Sequence, residues 1–225
     1  MTKKIYHGSE KVIQTPVYHG GKAYNDYGYG FYCTENINMA KEWGVDRDRD
    51  GCANIYNIEC EGLSILDLNS SNYTILHWLT ILLQNRQFNI PSGLAMEAKK
   101  YLISQFSIDY EAYDIIKGYR ADDCYFSFAQ DFINGTISYS QLGEAMHLGK
   151  LGQQFVIKSK KAFERIEFVN FEVAERSMWY PRKKERDSQA RREYFRTDRN
   201  NWHKGEIYIT HILDEEMKAD DIRLR

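Results

Sequence analysis

Two short stretches near the amino terminus carry the strongest signal in this chain: YHGS at residues 6–9 and DYGYGFYCT at residues 26–34, followed by Trp43. A histidine comes just after an expected first strand, and a glycine-aromatic strand then leads to a second aromatic residue, eleven positions after Tyr32. Aromatic faces attract cations and stack on flat rings, so Tyr32 and Trp43 together suit a planar, cationic ring that carries an amide. Gly8 has no side chain to keep its backbone away from such a ring.

These stretches resemble the first two motifs of the ADP-ribosyltransferases, specifically the His-Tyr-Glu branch that includes diphtheria toxin and the poly(ADP-ribose) polymerases. The matching residues are His7-Gly8-Ser9, Gly28-Tyr29-Gly30-Phe31-Tyr32 and Trp43 at the second-aromatic position. The whole chain is also similar to an uncharacterised bacterial family assigned to this fold and often encoded beside a small partner protein. The resemblance implies an ADP-ribosyltransferase-like split β-sheet with a helical insertion.

The resemblance also implies NAD as the bound substrate and assigns a role to each matching residue. His7 would hydrogen-bond ribose hydroxyls on the adenosine side, and Gly8 would hold the nicotinamide carboxamide through its backbone. Ser9 would contact the ligand nearby, while Tyr32 and Trp43 would enclose the nicotinamide. No metal is required, because the leaving group departs from a ring that is already cationic.

The third motif of the family is a strand that begins with glutamate, and its counterpart here departs from that pattern. The best match is LGQQFVI at residues 151–157, which places Gln154 at the critical position, beside Gln153. Glutamine can accept a hydrogen bond from a ribose hydroxyl but carries no charge to offset a developing cation. Losing one preorganised electrostatic group typically lowers a rate about a hundred- to a thousand-fold. A second departure is Ala40, where relatives often have a serine.

The sequence therefore predicts a bacterial, NAD-dependent mono-ADP-ribosyltransferase, a glycosyltransferase in the broad sense, with His7, Tyr32 and Gln154 as catalytic residues. It would transfer ADP-ribose from NAD to a macromolecular acceptor, either a protein or a nucleic acid. Genes of the resembling family often lie beside the gene of a small partner protein. The resemblance therefore implies a toxin-like or regulatory role, as in toxin–antitoxin pairs, with a small neutralising partner protein. The alternative, favoured by Gln154 and Ala40, is an NAD-binding pseudoenzyme or an interaction module with little or no catalysis.

Length and composition limit the class of protein that this chain can form. With 225 residues, 43% apolar and 28% charged, the chain is predicted to form one ordinary globular domain over residues 1–225. A net charge of −2 gives no global attraction to nucleic acid or anionic membranes. The best apolar run, residues 73–83, is too short to cross a bilayer, and no secretory signal is recognisable.

The four cysteines form no CxxC pair, so the expectation is a cytoplasmic protein with reduced thiols, no membrane partner and no metal site.

Hydrophobic periodicity places strands at both ends and helices between them. Residues 1–70 predict strands with one helix near residues 36–44, and residues 73–150 predict a mainly helical insertion containing a strand at 113–119. Strand composition returns at residues 153–159, 166–173 and 206–213. This order is typical of an α+β domain and not of a regularly alternating α/β fold.

Two charged segments each have two possible roles. Residues 119–123 form a polar cluster that either lines a cleft or makes a structural ion pair. Residues 182–199 form a basic stretch with interspersed acids, typical of a solvated helix face; the functional alternative is docking of a nucleic acid or an acidic partner.

Overall fold

The computed structural model describes residues 1–90, 93–121, 123–148, 152–196 and 202–225. Four of the predicted features fall partly outside these ranges. They lose residues 91–92, 122 and 149–150 of the helical insertion, Leu151 of the third-motif strand, Asp122 of the polar cluster, and residues 197–199 of the basic stretch. The elements, in chain order, are β1 (Thr2–Ser9), β2 (Phe31–Cys33), α1 (Ile37–Gly44), β3 (Gly51–Glu59), β4 (Ile65–Asp67), α2 (Ile75–Asn85), α3 (Gly93–Phe106), β5 (Ile115–Tyr119), α4 (Asp123–Ile133), α5 (Tyr139–Ala145), β6 (Gln153–Ile157), α6 (Lys160–Phe163), β7 (Ile166–Ala174), α7 (Arg176–Arg196) and α8 (Ile209–Asp214).

The strands form two sheets. One has the order β1-β3-β7 and is antiparallel throughout. The other has the order β2-β6-β5-β4, in which β4 and β5 run parallel and the remaining pairs are antiparallel. Helices α2 to α5 occur together in the chain, interrupted by β5, and do not alternate regularly with strands. The predicted α+β class is therefore confirmed.

Two hydrophobic layers hold the sheets and helices together. Between the sheets, Ile5 and Tyr56 of the three-stranded sheet pack with Phe155 and Ile157 of the four-stranded one. The four-stranded sheet contributes side chains such as Val156 to a second, larger core, which the helices cover. Alternation along β6 explains both layers, because successive strand side chains point to opposite faces. No helix in the described ranges is both long and apolar enough to span a bilayer.

Strands β1 and β2 meet at one bridge and then separate. The backbone N–H of Tyr6 donates to the carbonyl of Thr34 at 2.8 Å, and that of Thr34 donates to the carbonyl of Tyr6 at 2.9 Å. Backbone groups two positions apart on a strand face the same edge, so the N–H and C=O of Gly8 face the side on which β2 diverges. Beyond the bridge, Nδ1 of His7 lies 2.7 Å from the carbonyl oxygen of Tyr32.

Helix α1 packs unusually close to β1 and β3, because three glycines face one another there. A Cβ built on Gly8 would lie 2.0 Å from the carbonyl oxygen of Ala40, and one on Gly51 would lie 2.2 Å from that of Gly44. The side chain of Asn36 caps the helix by accepting from the backbone N–H of residue 38 at 3.0 Å. This packing carries Trp43 to the point where the sheets divide.

Two local predictions need correction. Residues 206–213 form no strand; helix α8 begins at Ile209, because Ile209 and Ile212 lie one turn apart and are both fully buried. Their packing outweighs the β-propensity of the segment. The strand predicted over residues 28–32 starts only at Phe31, because Gly28 has a φ of +69° and belongs to a turn.

Candidate ligand-binding cleft

A cleft of about 1180 Å³ opens where β1 and β2 diverge. His7 and Gly8 from β1, Tyr32 from β2, Trp43 from α1 and Gln154 from β6 all line it. Strand pairing explains part of this arrangement, because Gln154 and Tyr32 lie on adjacent strands of one sheet. The structure thus brings together every site residue predicted from the sequence except Ser9.

Ser9 serves a neighbouring loop instead. Its hydroxyl donates to the carbonyl of Lys11 at 2.7 Å and accepts from Nδ2 of Asn54 at 2.8 Å. Asn54 is fully buried, and its Oδ1 accepts from the backbone N–H of Ile13 at 2.8 Å. Together these bonds fix the segment after β1, whose residues 11–17 line one side of the cleft. Sequence reasoning gave Asn54 no role, since a polar residue within a strand is unremarkable until its partners are known.

The imidazole of His7 has a defined protonation state. A carbonyl oxygen can only accept, so the 2.7 Å contact with Tyr32 places the proton on Nδ1 and leaves the lone pair on Nε2. Burial lowers the pKa of His7 below its ordinary value, against the opposing effect of that hydrogen bond. The ring lies 4.4 Å from the ring of Phe31, measured between centroids. His7 is therefore a neutral side chain whose Nε2 suits a hydroxyl donor.

The hydroxyl of Tyr32 is engaged within the protein. It donates to the carbonyl of Gly28 at 2.7 Å and accepts from the backbone N–H of Tyr27 at 3.0 Å. Both bonds close the turn that precedes β2. The aromatic ring, and not the hydroxyl, is then the part of Tyr32 that the cleft offers to a ligand.

We expect Tyr32→Phe to separate these two functions. Loss of the hydroxyl leaves two backbone groups of the turn without their partner, which should lower the free energy of unfolding by about 1–2 kcal/mol. The ring remains, so ligand affinity should stay within about twofold, a change below 0.5 kcal/mol. Urea unfolding and a ligand titration on the same preparation test both statements. A large loss of affinity at unchanged stability would assign the hydroxyl to the ligand.

The indole ring of Trp43 is in contact with the guanidinium group of Arg120. The guanidinium carbon of Arg120 lies 4.6 Å from the centroid of its ring, within the range of a cation–π contact. The indole Nε1 of Trp43 is buried and has no hydrogen-bond partner within the described part of the chain. A planar cationic ligand that stacks on the same face would replace Arg120.

Gln154 and Asp26 form a buried polar pair at the cleft. Each is 5% exposed, and Nε2 of Gln154 lies 3.4 Å from Oδ2 of Asp26. The same oxygen accepts from the backbone N–H of Ala121 at 2.8 Å, while Oδ1 pairs with Arg86 at 2.9 Å. The Oε1 atom of Gln154 is buried without a hydrogen-bond partner among the described residues. Asp26 was quoted in the sequence motif but not predicted as a site residue.

The cleft is strongly basic, although the chain is slightly acidic overall. Its described lining includes seven basic and two acidic side chains. The basic ones are Lys11, Arg86, Arg120, Lys183, Lys184, Arg186 and Arg191; the acidic ones are Asp26 and Asp187. Burial and the neighbouring Arg120 lower the pKa of Lys183, although Asp187 opposes them. One face of α7 thus contributes part of the basic stretch to the cleft, where a solvated surface was the simpler expectation.

The comparisons with known proteins add one finding. The profile of a family described as "Protein of unknown function (DUF3990)" matches residues 3–168, from the second residue of β1 to the start of β7, and this range includes most of the cleft residues. No curated protein and no solved structure matches the chain.

Proposed function

We propose that this chain, which belongs to the DUF3990 family, binds NAD in the cleft. The protein would then transfer ADP-ribose from the bound NAD to a macromolecular acceptor. The observation that carries the proposal is the shared location of His7, Tyr32, Trp43 and Gln154 at one basic cleft. An ADP-ribosyltransferase-like split sheet, with residues 73–150 as its helical insertion, is part of the same proposal. A toxin-like or regulatory role with a small neutralising partner protein would follow from it.

The charge and size of the cleft support a dinucleotide. A diphosphate carries negative charge that the excess of basic side chains would attract, and guanidinium groups bind phosphate oxygens in a bidentate manner. The volume of about 1180 Å³ exceeds the usual upper range for small-molecule pockets, roughly 1,000 Å³. A ligand with two linked halves would use such a space better than a single ring.

Each cleft group has a task in this reaction. The rings of Tyr32 and Trp43 would hold the nicotinamide, and the backbone edge of Gly8 would bind its carboxamide. Nε2 of His7 would accept from a ribose hydroxyl, consistent with a proton on Nδ1. The cleft would thereby orient the ribose while the bond to nicotinamide breaks, and orientation alone contributes strongly to a rate.

The second candidate is an NAD-binding pseudoenzyme or interaction module. Two observations favour it: Gln154 is uncharged, and Arg120 covers the ring of Trp43. In this case the cleft would bind NAD without breaking it, and the protein would act through its contacts with other macromolecules.

We expect NAD to quench tryptophan fluorescence through Trp43. In Trp43→Ala the dissociation constant should rise about five- to thirtyfold, because a stacked cationic ring contributes about 1–2 kcal/mol. Trp202→Phe is the matched control, since Trp202 is 66% exposed and lies outside the cleft lining. Isothermal titration calorimetry measures the dissociation constants of the wild type and both variants, and a fluorescence titration should show quenching that is lost in Trp43→Ala and kept in Trp202→Phe.

Incubation with adenine-labelled NAD and a bacterial lysate then separates the two candidates. Transfer of label to a macromolecule, with release of nicotinamide, supports the transferase. Quenching without transfer or release supports the pseudoenzyme. Absence of NAD binding in the wild type would exclude both.

A further inference from the structure

We propose that Asp26 and Gln154 together do what the third-motif glutamate does in the ADP-ribosyltransferases that this chain resembles: Asp26 supplies the negative charge and Gln154 supplies the acceptor atom. This inference rests on the proposed transferase function. It makes Asp26 a positioning and electrostatic residue that acts through its neighbour, whereas Gln154 touches the substrate.

The geometry fixes the orientation of the glutamine amide. A carboxylate oxygen only accepts, so the group of Gln154 that faces Oδ2 of Asp26 at 3.4 Å is its NH₂. The carbonyl oxygen Oε1 is then turned away from Asp26, buried and without a partner among the described residues. A buried acceptor without a donor costs free energy, and a hydroxyl of a bound sugar would satisfy it.

Asp26 is held so that it cannot turn away. The N–H of Ala121 and the guanidinium of Arg86 bind its two oxygens at 2.8 and 2.9 Å. Burial raises the pKa of Asp26, and these two partners oppose that rise. The result is a fixed carboxylate directly behind the amide, in surroundings from which most water is excluded. In such surroundings a charge acts over a longer distance than it does in water.

The chemistry requires this charge at one step. The bond between ribose C1′ and the nicotinamide nitrogen breaks, and its electron pair leaves with nicotinamide, which becomes neutral. Positive charge develops on C1′ until the lone pair of the acceptor forms the new bond, and the acceptor's proton passes to solvent. Oε1 of Gln154 would order a ribose hydroxyl throughout, while Asp26 would stabilise the cation only as it forms.

Exchanging the two side chains tests the pair. In Asp26→Asn the turnover number should fall about a hundredfold, whereas the NAD dissociation constant should stay within about threefold. The double variant Asp26→Asn/Gln154→Glu keeps one carboxylate and one amide, and it should recover to within about tenfold of the wild type. Asp67→Asn is the control, because Asp67 lies on β4, outside the cleft lining, and pairs with Lys117 at 3.4 Å.

The single variant Gln154→Glu adds a second criterion. Two adjacent carboxylates resist being ionised together and share a proton, so this variant should stay within a few-fold of the wild type. A gain of tenfold or more would show that Asp26 supplies no useful charge and would overturn the proposal. So would an unchanged rate in Asp26→Asn, or a double variant that remains as slow as that single variant. Melting temperatures of all variants identify loss of rate through unfolding.

Failure of the pair can be distinguished from failure of the proposed function. A wild type that binds NAD without turnover, and that becomes active as Gln154→Glu, overturns the pair and preserves the NAD cleft. If both proteins bind NAD and neither turns it over, the transferase proposal fails, and the pair fails with it. If the wild type does not bind NAD, the cleft itself has been misassigned.

Discussion

Gly8→Ala is expected to lower the free energy of unfolding by about 3 kcal/mol and to displace Trp43 from the cleft. The added Cβ would lie 2.0 Å from the carbonyl oxygen of Ala40 and 2.8 Å from both the backbone nitrogen of Gly44 and Cβ of Trp43. None of these atoms is the flexible end of a side chain. Helix α1 would therefore have to move away from β1 as a unit, which would lower stability and, on the proposed function, weaken NAD binding.

Gly143→Ala is the matched control for this prediction. A Cβ on Gly143 meets nothing within 4 Å, and the residue lies inside α5. Alanine should stabilise that helix by about 0.5–1 kcal/mol, an effect of opposite sign. Urea unfolding of both variants, together with an NAD titration, gives the comparison. Equal stability of Gly8→Ala and the wild type would contradict the close packing of α1.

Arg186→Met is expected to cost about 3 kcal/mol of folding free energy, because it leaves the carboxylate of Glu42 buried without its partner. The two groups form an ion pair of 2.6 Å that joins α7 to α1, with side chains 13% and 11% exposed. Burial raises the pKa of Glu42, and Arg186 opposes this rise. Removal of Arg186 should raise that pKa further. The loss should then be largest at neutral pH and should shrink as the pH falls and Glu42 gains a proton.

A second substitution and a surface control make this prediction specific. Arg186→Met combined with Glu42→Leu removes both charges and should recover most of the lost stability. Arg192→Met breaks an exposed pair with Glu185 and should cost less than about 1 kcal/mol. Denaturant unfolding at pH 5 and pH 7 measures all four proteins. A cost that does not change with pH would mean that the charge of Glu42 is not the cause.

Individual helices and strands could be predicted from the sequence, because capping residues and apolar spacing lie within the segments that form them. Helix α1 was expected at residues 36–44 and forms at Ile37–Gly44, with Asn36 as its cap. Helix α2 follows its apolar spacing, and β5 lies within the segment predicted for it. The convergence of His7, Tyr32 and Trp43 at one cleft was also expected, because the resemblance of their motifs to those of the ADP-ribosyltransferases implied a shared site.

Long-range pairing could not be predicted in the same way. Asp26 and Gln154 are 128 positions apart, and nothing in either local sequence indicates the other. On the proposed function, the sequence alone predicts that a glutamate at position 154 raises turnover, whereas the carboxyl group of Asp26 beside it predicts little change. The orientation of α7 was equally hidden, because a helix with low amphipathicity shows no preferred face. Which of its basic residues reach the cleft depends on tertiary packing.

The contact between α1 and the strands limits how this protein can diverge. Gly8 is distant in sequence from Gly44 and Gly51, yet at all three positions an added Cβ would lie 3.0 Å or less from a backbone atom of a neighbouring element. Side chains of the cleft such as Gln154 can be exchanged without disturbing this contact, whereas a larger residue at any of the three glycine positions would press on neighbouring backbone. Distant relatives should therefore retain these three glycines longer than they retain the side chains of the cleft, and a search that requires the glycines would recover relatives whose cleft residues differ.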